Sequence, residues 1–151
     1  ARHITLVPEI EMPGHSSAAL LAYPQYLCPS VKLDKLPQKG GIFTGVYCAG
    51  NDHTFTFLEN VLTEVAQLFP GKFIHIGGDE CPKARWKESA YCQELMKKNN
   101  LQNEEQLQSW FTQRIVKMLQ AKGKQAIGWD EILEGGLADG AAVMSWRGEE
   151  G

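Results

Sequence analysis

The stretch from Phe73 to Glu80 reads FIHIGGDE, a short apolar run followed by two glycines and two adjacent carboxylates. The length and β-branched content of Phe73–Ile76 predict a buried parallel strand. Side chains on a regular strand alternate between faces, so Asp79 and Glu80 can share one pocket only where the strand end is irregular. The glycine pair permits such an end. The alternative is an ordinary strand-to-helix loop whose acids stabilise the next helix start.

Short strands alternate with helical stretches along the chain, which predicts an α/β fold with a parallel sheet covered by helices. Four strands are predicted, at Ile4–Val7, Phe73–Ile76, Gln125–Trp129 and Ala142–Trp146. Helices are predicted after Ser16, from a Thr54 cap, from Pro82 to Lys98, and from Asn103 to Lys122. The turn-rich segment between them, residues 25–52, is expected to wall one side of a cleft, because long loops in compact domains are usually functional.

Polar and aromatic residues follow the predicted strands at their carboxyl ends, where barrel enzymes build active sites. This placement favours a partial (β/α)8 barrel, a run of consecutive β/α units from the middle of the barrel. An open doubly wound sheet is the alternative on periodicity alone.

Four motifs in order carry a family resemblance. PEIEMPGH at Pro8–His15, HIGGDE at His75–Glu80, GWDE at Gly128–Glu131 and SWRG at Ser145–Gly148 resemble the active-site motifs of glycoside hydrolase family 20, the β-N-acetylhexosaminidases. The resemblance covers nearly the whole chain. It implies a TIM-barrel catalytic domain and a glycan substrate that ends in N-acetylhexosamine.

The adjacent acids carry the chemistry that the resemblance implies. Ordinary glycosidases place two carboxyl groups on opposite sides of the scissile bond, and consecutive residues on one strand end are poorly placed for that. In the implied mechanism the substrate's 2-acetamido oxygen attacks the anomeric carbon and gives an oxazolinium intermediate. Glu80 protonates the departing oxygen and later activates water, Asp79 orients the acetamido group, and His15 supports the acid. No metal or organic cofactor is required.

Two tryptophans are the predicted substrate-binding residues. Trp129 and Trp146 follow successive strands, and tryptophan walls suit both the acetamido methyl group and the face of a sugar. Trp86 is a weaker candidate at the leaving-group side. Asp130 and Glu131 are interpreted as helix-start residues.

The other acids and histidines near the motifs are less specific. His75 is expected to pack rather than to react. One of Glu9 and Glu11 is expected to orient the site, without a preference between them.

Composition bounds the function independently. The 151 residues are 43% hydrophobic and 22% charged, as in an ordinary soluble domain. A net charge of −3 without a basic run argues against nucleic acid or an anionic membrane as the main partner. The chain opens at a predicted strand and stops after another, so we expect a fragment of one catalytic domain whose parent extends at both ends. The resemblance implies an exported parent, which is periplasmic, secreted or lysosomal.

The four cysteines are Cys28, Cys48, Cys81 and Cys92, without a Cys-x-x-Cys pair. Cys28 and Cys48 flank a loop rich in proline and glycine and could form a disulfide in an exported protein. Free buried thiols are equally compatible with the sequence.

Three other functions remain open at this point. A metal-dependent barrel hydrolase would use His15, His75, Asp79 and Glu80 as ligands. A non-catalytic carbohydrate-binding barrel would keep the tryptophans but would not need the acid pair. A related retaining glycosidase would act on a different sugar. The family's sugar-binding arginine and its tyrosine and aspartate for the acetamido group fall outside residues 1–151, so the fragment alone is expected to be impaired.

Overall fold

A computed structural model describes residues 3–148, which form an α/β structure. Its helices are α1 (Ser17–Ala22), α2 (Asp52–Leu68), α3 (Ala84–Glu88), α4 (Ala90–Lys98) and α5 (Glu104–Ala121). Its strands are β1 (Phe73–His75), β2 (Gln125–Trp129) and β3 (Ala142–Met144). Short 3-10 helices occupy Pro24–Tyr26 and Asp130–Leu133. Across the described residues, every helix is too short or too polar to cross a membrane.

The three strands are parallel and neighbour one another in chain order, β1-β2-β3. Phe73 pairs with Gln125 in the first ladder, and Ile127 pairs with Ala142 in the second. A further extended segment, residues 8–12, hydrogen-bonds along the free side of β1, where Ile10 N–H donates to His75 O at 2.9 Å. Four neighbours in sequence order without a reversal are typical of a singly wound barrel, whereas a doubly wound sheet reverses its order.

The prediction of a first strand at Ile4–Val7 is wrong. The segment that pairs with β1 lies later, and its one ladder bridge joins Glu9 to His75. Ile4 and Leu6 are 73% and 69% exposed, so the apolar residues that suggested a buried strand lie outside the sheet. An apolar run predicts extended backbone, but the hydrogen-bond partner decides where the strand lies.

The remaining strand predictions are confirmed in place, with differences at the ends. The bounds of β2 agree with the prediction, while β1 stops at His75 and β3 at Met144. Ile76 still donates its N–H to Ile127 O at 2.8 Å, so the pairing of β1 with β2 continues one residue beyond the named strand.

Two helix predictions need correction. Asn51, not Thr54, caps α2, since its side chain accepts the His53 N–H, and Thr54 is buried inside the helix. The single helix predicted from Pro82 to Lys98 is two helices separated at Ser89. Ser89 has extended backbone and accepts the Cys92 N–H, so it ends α3 and caps α4.

Helices α2 and α5 pack against each other beside the sheet and supply much of the core. The Phe55 and Phe111 rings lie 5.0 Å apart between them. Trp86 also belongs to the core, because its side chain is fully buried and its indole N–H donates to Tyr47 O at 2.9 Å. The interpretation of Trp86 as a residue at the edge of the site is therefore wrong.

The long loop between α1 and α2 is anchored near its ends and reaches the carboxyl edge of the sheet. Leu27 forms an antiparallel bridge with Tyr47, and Tyr47 N–H donates to Pro13 O at 3.0 Å. Ile42 of this loop and Glu80 line the same shallow depression, which agrees with the expectation that the loop borders a cleft.

Candidate active site

The exit of β1 leaves regular strand geometry at once. Gly77 and Gly78 have φ angles of +69° and +98°, and Glu80 has a φ of +45°. These left-handed conformations break the alternation of side chains, so consecutive acids can turn to the same side. Gln108 of α5 supports the turn from below, since its buried amide donates to Gly78 O at 2.6 Å. The irregular strand end that FIHIGGDE predicts is present.

His15 joins the two acids. Its Nε2 lies 3.3 Å from Asp79 Oδ2 and 3.2 Å from Glu80 Oε2. The side chains of Asp79 and Glu80 are 17% and 35% exposed, so both acids remain open to a ligand. The His15 loop approaches closely because Gly14 has no side chain. A Cβ atom there would lie 3.3 Å from Asp79 O.

Two contacts position the Trp129 side chain at the carboxyl end of β2. Its indole N–H donates to Glu9 Oε1 at 2.9 Å, and its ring lies 4.7 Å from the His75 ring, centroid to centroid. His75 is buried, and its Nδ1 accepts the Gly77 N–H at 3.1 Å. Burial lowers the pKa of His75, against the opposing charge of Glu9. His75 is therefore a neutral packing residue beneath the tryptophan, as expected.

Glu11 lies directly over the strand exit. A Cβ atom on Gly77 would collide with Glu11 Oε2, so this glycine provides the space for the carboxyl group. Burial raises the pKa of Glu11 to about 8, and a hydrogen bond with Glu9 and the charge of Asp79 add to the effect. The raised pKa favours the protonated form of Glu11, which can donate a hydrogen bond among its acidic neighbours. No feature of the sequence favoured Glu11 over Glu9 for this position.

Trp146 is fixed by the acids that follow β2. Its indole N–H donates to Glu131 Oε2 at 3.0 Å, and its backbone N–H donates to Asp130 Oδ1 at 3.3 Å. Asp130 also accepts from Arg147 Nε at 2.8 Å. Burial opposes ionisation there, but the hydrogen bonds from Arg147 and Trp146 lower the pKa of Asp130 overall.

Asp130 and Glu131 do begin a 3-10 helix, as their interpretation as helix-start residues requires. The contacts of these two acids with Trp146 and Arg147 were not predicted from the sequence. The signal available in the sequence was the acidic pair following one strand and the Trp-Arg pair following the next.

All five predicted site residues line one open depression of about 420 Å³. Its walls are Glu9, Glu11, His15, Asp79, Glu80, Trp129 and Trp146. Two acids, a histidine and two tryptophan faces around one hollow suit a sugar ring that needs both proton transfer and stacking. Of the four ligands proposed for a metal hydrolase, His15, Asp79 and Glu80 converge, while His75 is directed toward Glu9 and Gly77.

The comparisons with known proteins agree with this geometry. The family profile described as "Glycosyl hydrolase family 20, catalytic domain" matches residues 1–151. A beta-hexosaminidase of Porphyromonas gingivalis is 57% identical over 150 residues, which are 99% of this chain and 19% of that protein. A beta-hexosaminidase of Vibrio furnissii is 36% identical over 99% of this chain and 24% of that protein. The chain thus spans about a fifth to a quarter of the length of these relatives.

A solved structure extends the agreement to the fold. The chitobiase of Flavobacterium johnsoniae superposes with a TM-score of 0.89 and 41% identity, over 97% of this chain and 22% of that one. The three parallel strands and their helices are accordingly part of a TIM barrel. Because the family profile matches residues 1–151 and the relatives align over nearly all of this chain, the chain belongs to glycoside hydrolase family 20 and carries part of its catalytic domain.

Proposed function

We propose that the protein containing this chain removes terminal N-acetyl-β-D-glucosamine or N-acetyl-β-D-galactosamine from glycans, with retention of configuration. The observation that carries the proposal is the shared contact of Asp79 and Glu80 with His15. These three residues lie in the depression that Trp129 and Trp146 also line. Two acids on one strand end reach neighbouring groups of the same sugar. They do not straddle a ring as the acid pair of an ordinary retaining glycosidase does.

In the first step the acetamido carbonyl oxygen of the substrate attacks the anomeric carbon, and the bond to the glycosidic oxygen breaks. Glu80 gives its proton to that departing oxygen. Asp79 accepts a hydrogen bond from the acetamido N–H and stabilises the positive charge of the oxazolinium intermediate. The substrate thus provides the nucleophile, and the two acids provide the proton and the opposite charge.

In the second step the Glu80 carboxylate takes a proton from water, and the water oxygen attacks the anomeric carbon from the face that the leaving group left. The carbon–oxygen bond of the oxazolinium ring breaks, the acetamido group is restored, and the configuration is retained. His15 holds Glu80 in position through both steps, and Trp129 and Trp146 bound the sugar and its acetamido group.

The experiment is hydrolysis of a chromogenic N-acetyl-β-glucosaminide and its galactosaminide counterpart by the full-length protein, with an N-acetylglucosamine-thiazoline inhibition arm. We expect turnover that the thiazoline blocks, because the thiazoline resembles the oxazolinium intermediate. Turnover of a β-glucoside in place of both acetamido sugars would favour the related glycosidase. Binding without turnover would favour a carbohydrate-binding barrel.

A metal-dependent hydrolase stays as the second candidate, because the polar atoms of His15, Asp79 and Glu80 lie close enough together to hold one ion. The assay separates it by a chelator arm. Activity that a chelator removes and a divalent ion restores, without thiazoline inhibition, would favour the metal reaction.

We also propose that residues 1–151 are part of one catalytic barrel domain and do not act alone. Three strands and one extended segment leave a barrel of eight strands open. The isolated chain is expected to show far less activity than the full-length protein at equal concentration, and equal activity would contradict this.

A further inference from the structure

Three of the four cysteines converge at one point, away from the site of the acids. Cys92 Sγ lies 3.8 Å from Cys48 Sγ and 4.0 Å from Cys28 Sγ. All three side chains are completely buried and all three are free thiols. They come from three separate segments, namely the start of the long loop, its end, and the first turn of α4.

The sulfur spacing fits a tetrahedral thiolate site. With zinc–sulfur bonds of about 2.3 Å, two ligands of a tetrahedral ion lie about 3.75 Å apart. The two separations from Cys92 Sγ are close to this value, and all three sulfurs lie within 4.8 Å of one another. A disulfide needs about 2.05 Å between sulfurs, so either pair would have to approach by nearly 2 Å and would leave the third thiol over. The separations thus suit three ligands of one ion, while none of the three thiols forms a disulfide.

The loop that carries Cys48 and the start of α4 meet at Cys92. Ser89 caps α4 by accepting the Cys92 N–H, which places this cysteine in the first turn of the helix. A Cβ atom at Gly50 would lie 2.3 Å from the Tyr91 carbonyl carbon and 2.5 Å from Cys92 N, so a side chain there would collide with the α4 backbone. Glycine is thus required where the Cys48 loop lies on the helix start.

A fourth ligand has room beside the sulfurs. Ser89 Oγ lies 3.9 Å from Cys48 Sγ, near enough to turn toward an ion. A cavity of about 490 Å³, lined in part by Cys48, Gly50 and Asn51, opens next to the cluster and can admit water.

We propose that Cys28, Cys48 and Cys92 bind one zinc ion as thiolates, with the Ser89 hydroxyl or a water molecule as the fourth ligand. The ion fastens both ends of the long loop to α4. That loop carries Ile42, which lines a neighbouring depression together with Glu80 and Trp146, so the metal acts as a structural clip for a loop that borders the site. The ligands are too far apart in the sequence to resemble a zinc motif, which is why their spacing did not predict the site.

The first test is the metal content of the full-length protein, purified without chelators and measured by plasma mass spectrometry. We expect about one zinc per chain, released when a mercurial modifies the thiols and restored by adding zinc to reduced protein. After metal removal, added zinc should raise the melting temperature, because an ion that binds only the folded state stabilises it.

Cys81 provides the matched control. It is buried like the others but stands apart from the cluster, and burial raises the pKa of its thiol to about 12. Cys81→Ser should keep the zinc, whereas Cys92→Ser and Cys28→Ser should each weaken zinc binding at least about tenfold.

Wild-type protein decides the question even if those variants fail to fold. A native protein that binds no zinc from a zinc-containing buffer, with its thiols reduced, would overturn the proposal in favour of apolar packing. A mass about 2 Da below that of the reduced chain, without metal, would overturn it in favour of a disulfide.

Discussion

His15 Nε2 lies 3.2 Å from Glu80 Oε2 and almost as close, 3.3 Å, to Asp79 Oδ2. The Nε2 nitrogen carries at most one proton, so the two acids share a single donor. His15 therefore links the position of Glu80, the proposed proton donor, to that of Asp79, the charged partner.

Replacing Glu80 by Gln removes the transferable proton while keeping the shape of the side chain. On N-acetylglucosaminides with poor alcohol leaving groups, kcat/KM should fall by about 10²–10⁴-fold. An aryl substrate with a good leaving group should lose much less, because its departure needs little protonation. Steady-state kinetics on both substrates measure the difference. Glu88→Gln, on the exposed side of α3, is the control, and an equal loss on both substrates would contradict the assigned role.

Asp79→Asn tests the charge of the second acid. The amide keeps the size of the side chain but loses the negative charge that faces the developing oxazolinium ion, so kcat should fall by about 10²–10³-fold. KM should change less, since the charge matters chiefly in the transition state. Inhibition by the thiazoline should weaken in parallel. Unchanged kcat with a raised KM would assign Asp79 to ground-state binding instead.

His15→Asn tests whether the histidine acts through Glu80. Removing the contact should lower kcat/KM by about 10–100-fold, because a misplaced acid transfers its proton less well. The loss should be larger for poor leaving groups, and the pH profile of kcat should change shape. A profile that is only scaled down, with equal losses on all substrates, would leave His15 with a purely structural role.

The sequence predicted those parts of the site that depend on local chain properties. Glycine flexibility predicts the break at Gly77-Gly78 and the turn of the acids that follow it. An apolar run predicts strand β2. The structure has all of these features. The contact of His15 with the acids came from the family resemblance and not from spacing.

The features that depend on a distant partner were not predictable in this way. Ile4–Val7 has the composition of a strand, but the pairing with β1 selects Glu9 and its neighbours. Glu131 and Trp146 are separated by 14 residues, and only the parallel pairing of β2 and β3 brings their side chains to 3.0 Å. The cap of α2 was predicted at Thr54, but Asn51 makes the capping hydrogen bond with the His53 N–H.

Glu11→Gln tests the buried carboxyl by the pH dependence of stability. The pKa of Glu11 is raised from 4.5 to about 8, so the folded protein binds its proton more tightly than the unfolded chain. The free energy of unfolding should therefore fall as pH rises through this range, by about 1–2 kcal/mol after allowance for solvent screening of a half-buried group. The loss is complete above about pH 8, and below 4.5 it vanishes.

Gln cannot ionise, so the Glu11→Gln variant should lack this slope while keeping a hydrogen-bond donor. Urea unfolding at several pH values between 4 and 9 measures it. Glu64→Gln is the control, because Glu64 is an exposed glutamate on α2. Parallel stability curves for the wild type and Glu11→Gln would mean that Glu11 titrates alike in the folded and unfolded states.

Gly77→Ala tests whether the strand exit is shaped around Glu11. Gly77 and Gly123 share a φ of +69°, but a Cβ atom meets the Glu11 carboxyl at Gly77 and open space at Gly123. Gly123→Ala should cost about 1–2 kcal/mol of unfolding free energy, from left-handed strain alone. Gly77→Ala should cost about 1–3 kcal/mol more, from the added collision. Chemical denaturation of both variants measures the difference, and Glu11→Ala in the Gly77→Ala background should recover part of it. Equal costs at the two glycines would show that Glu11 moves aside freely, and the turn would then depend on backbone conformation alone.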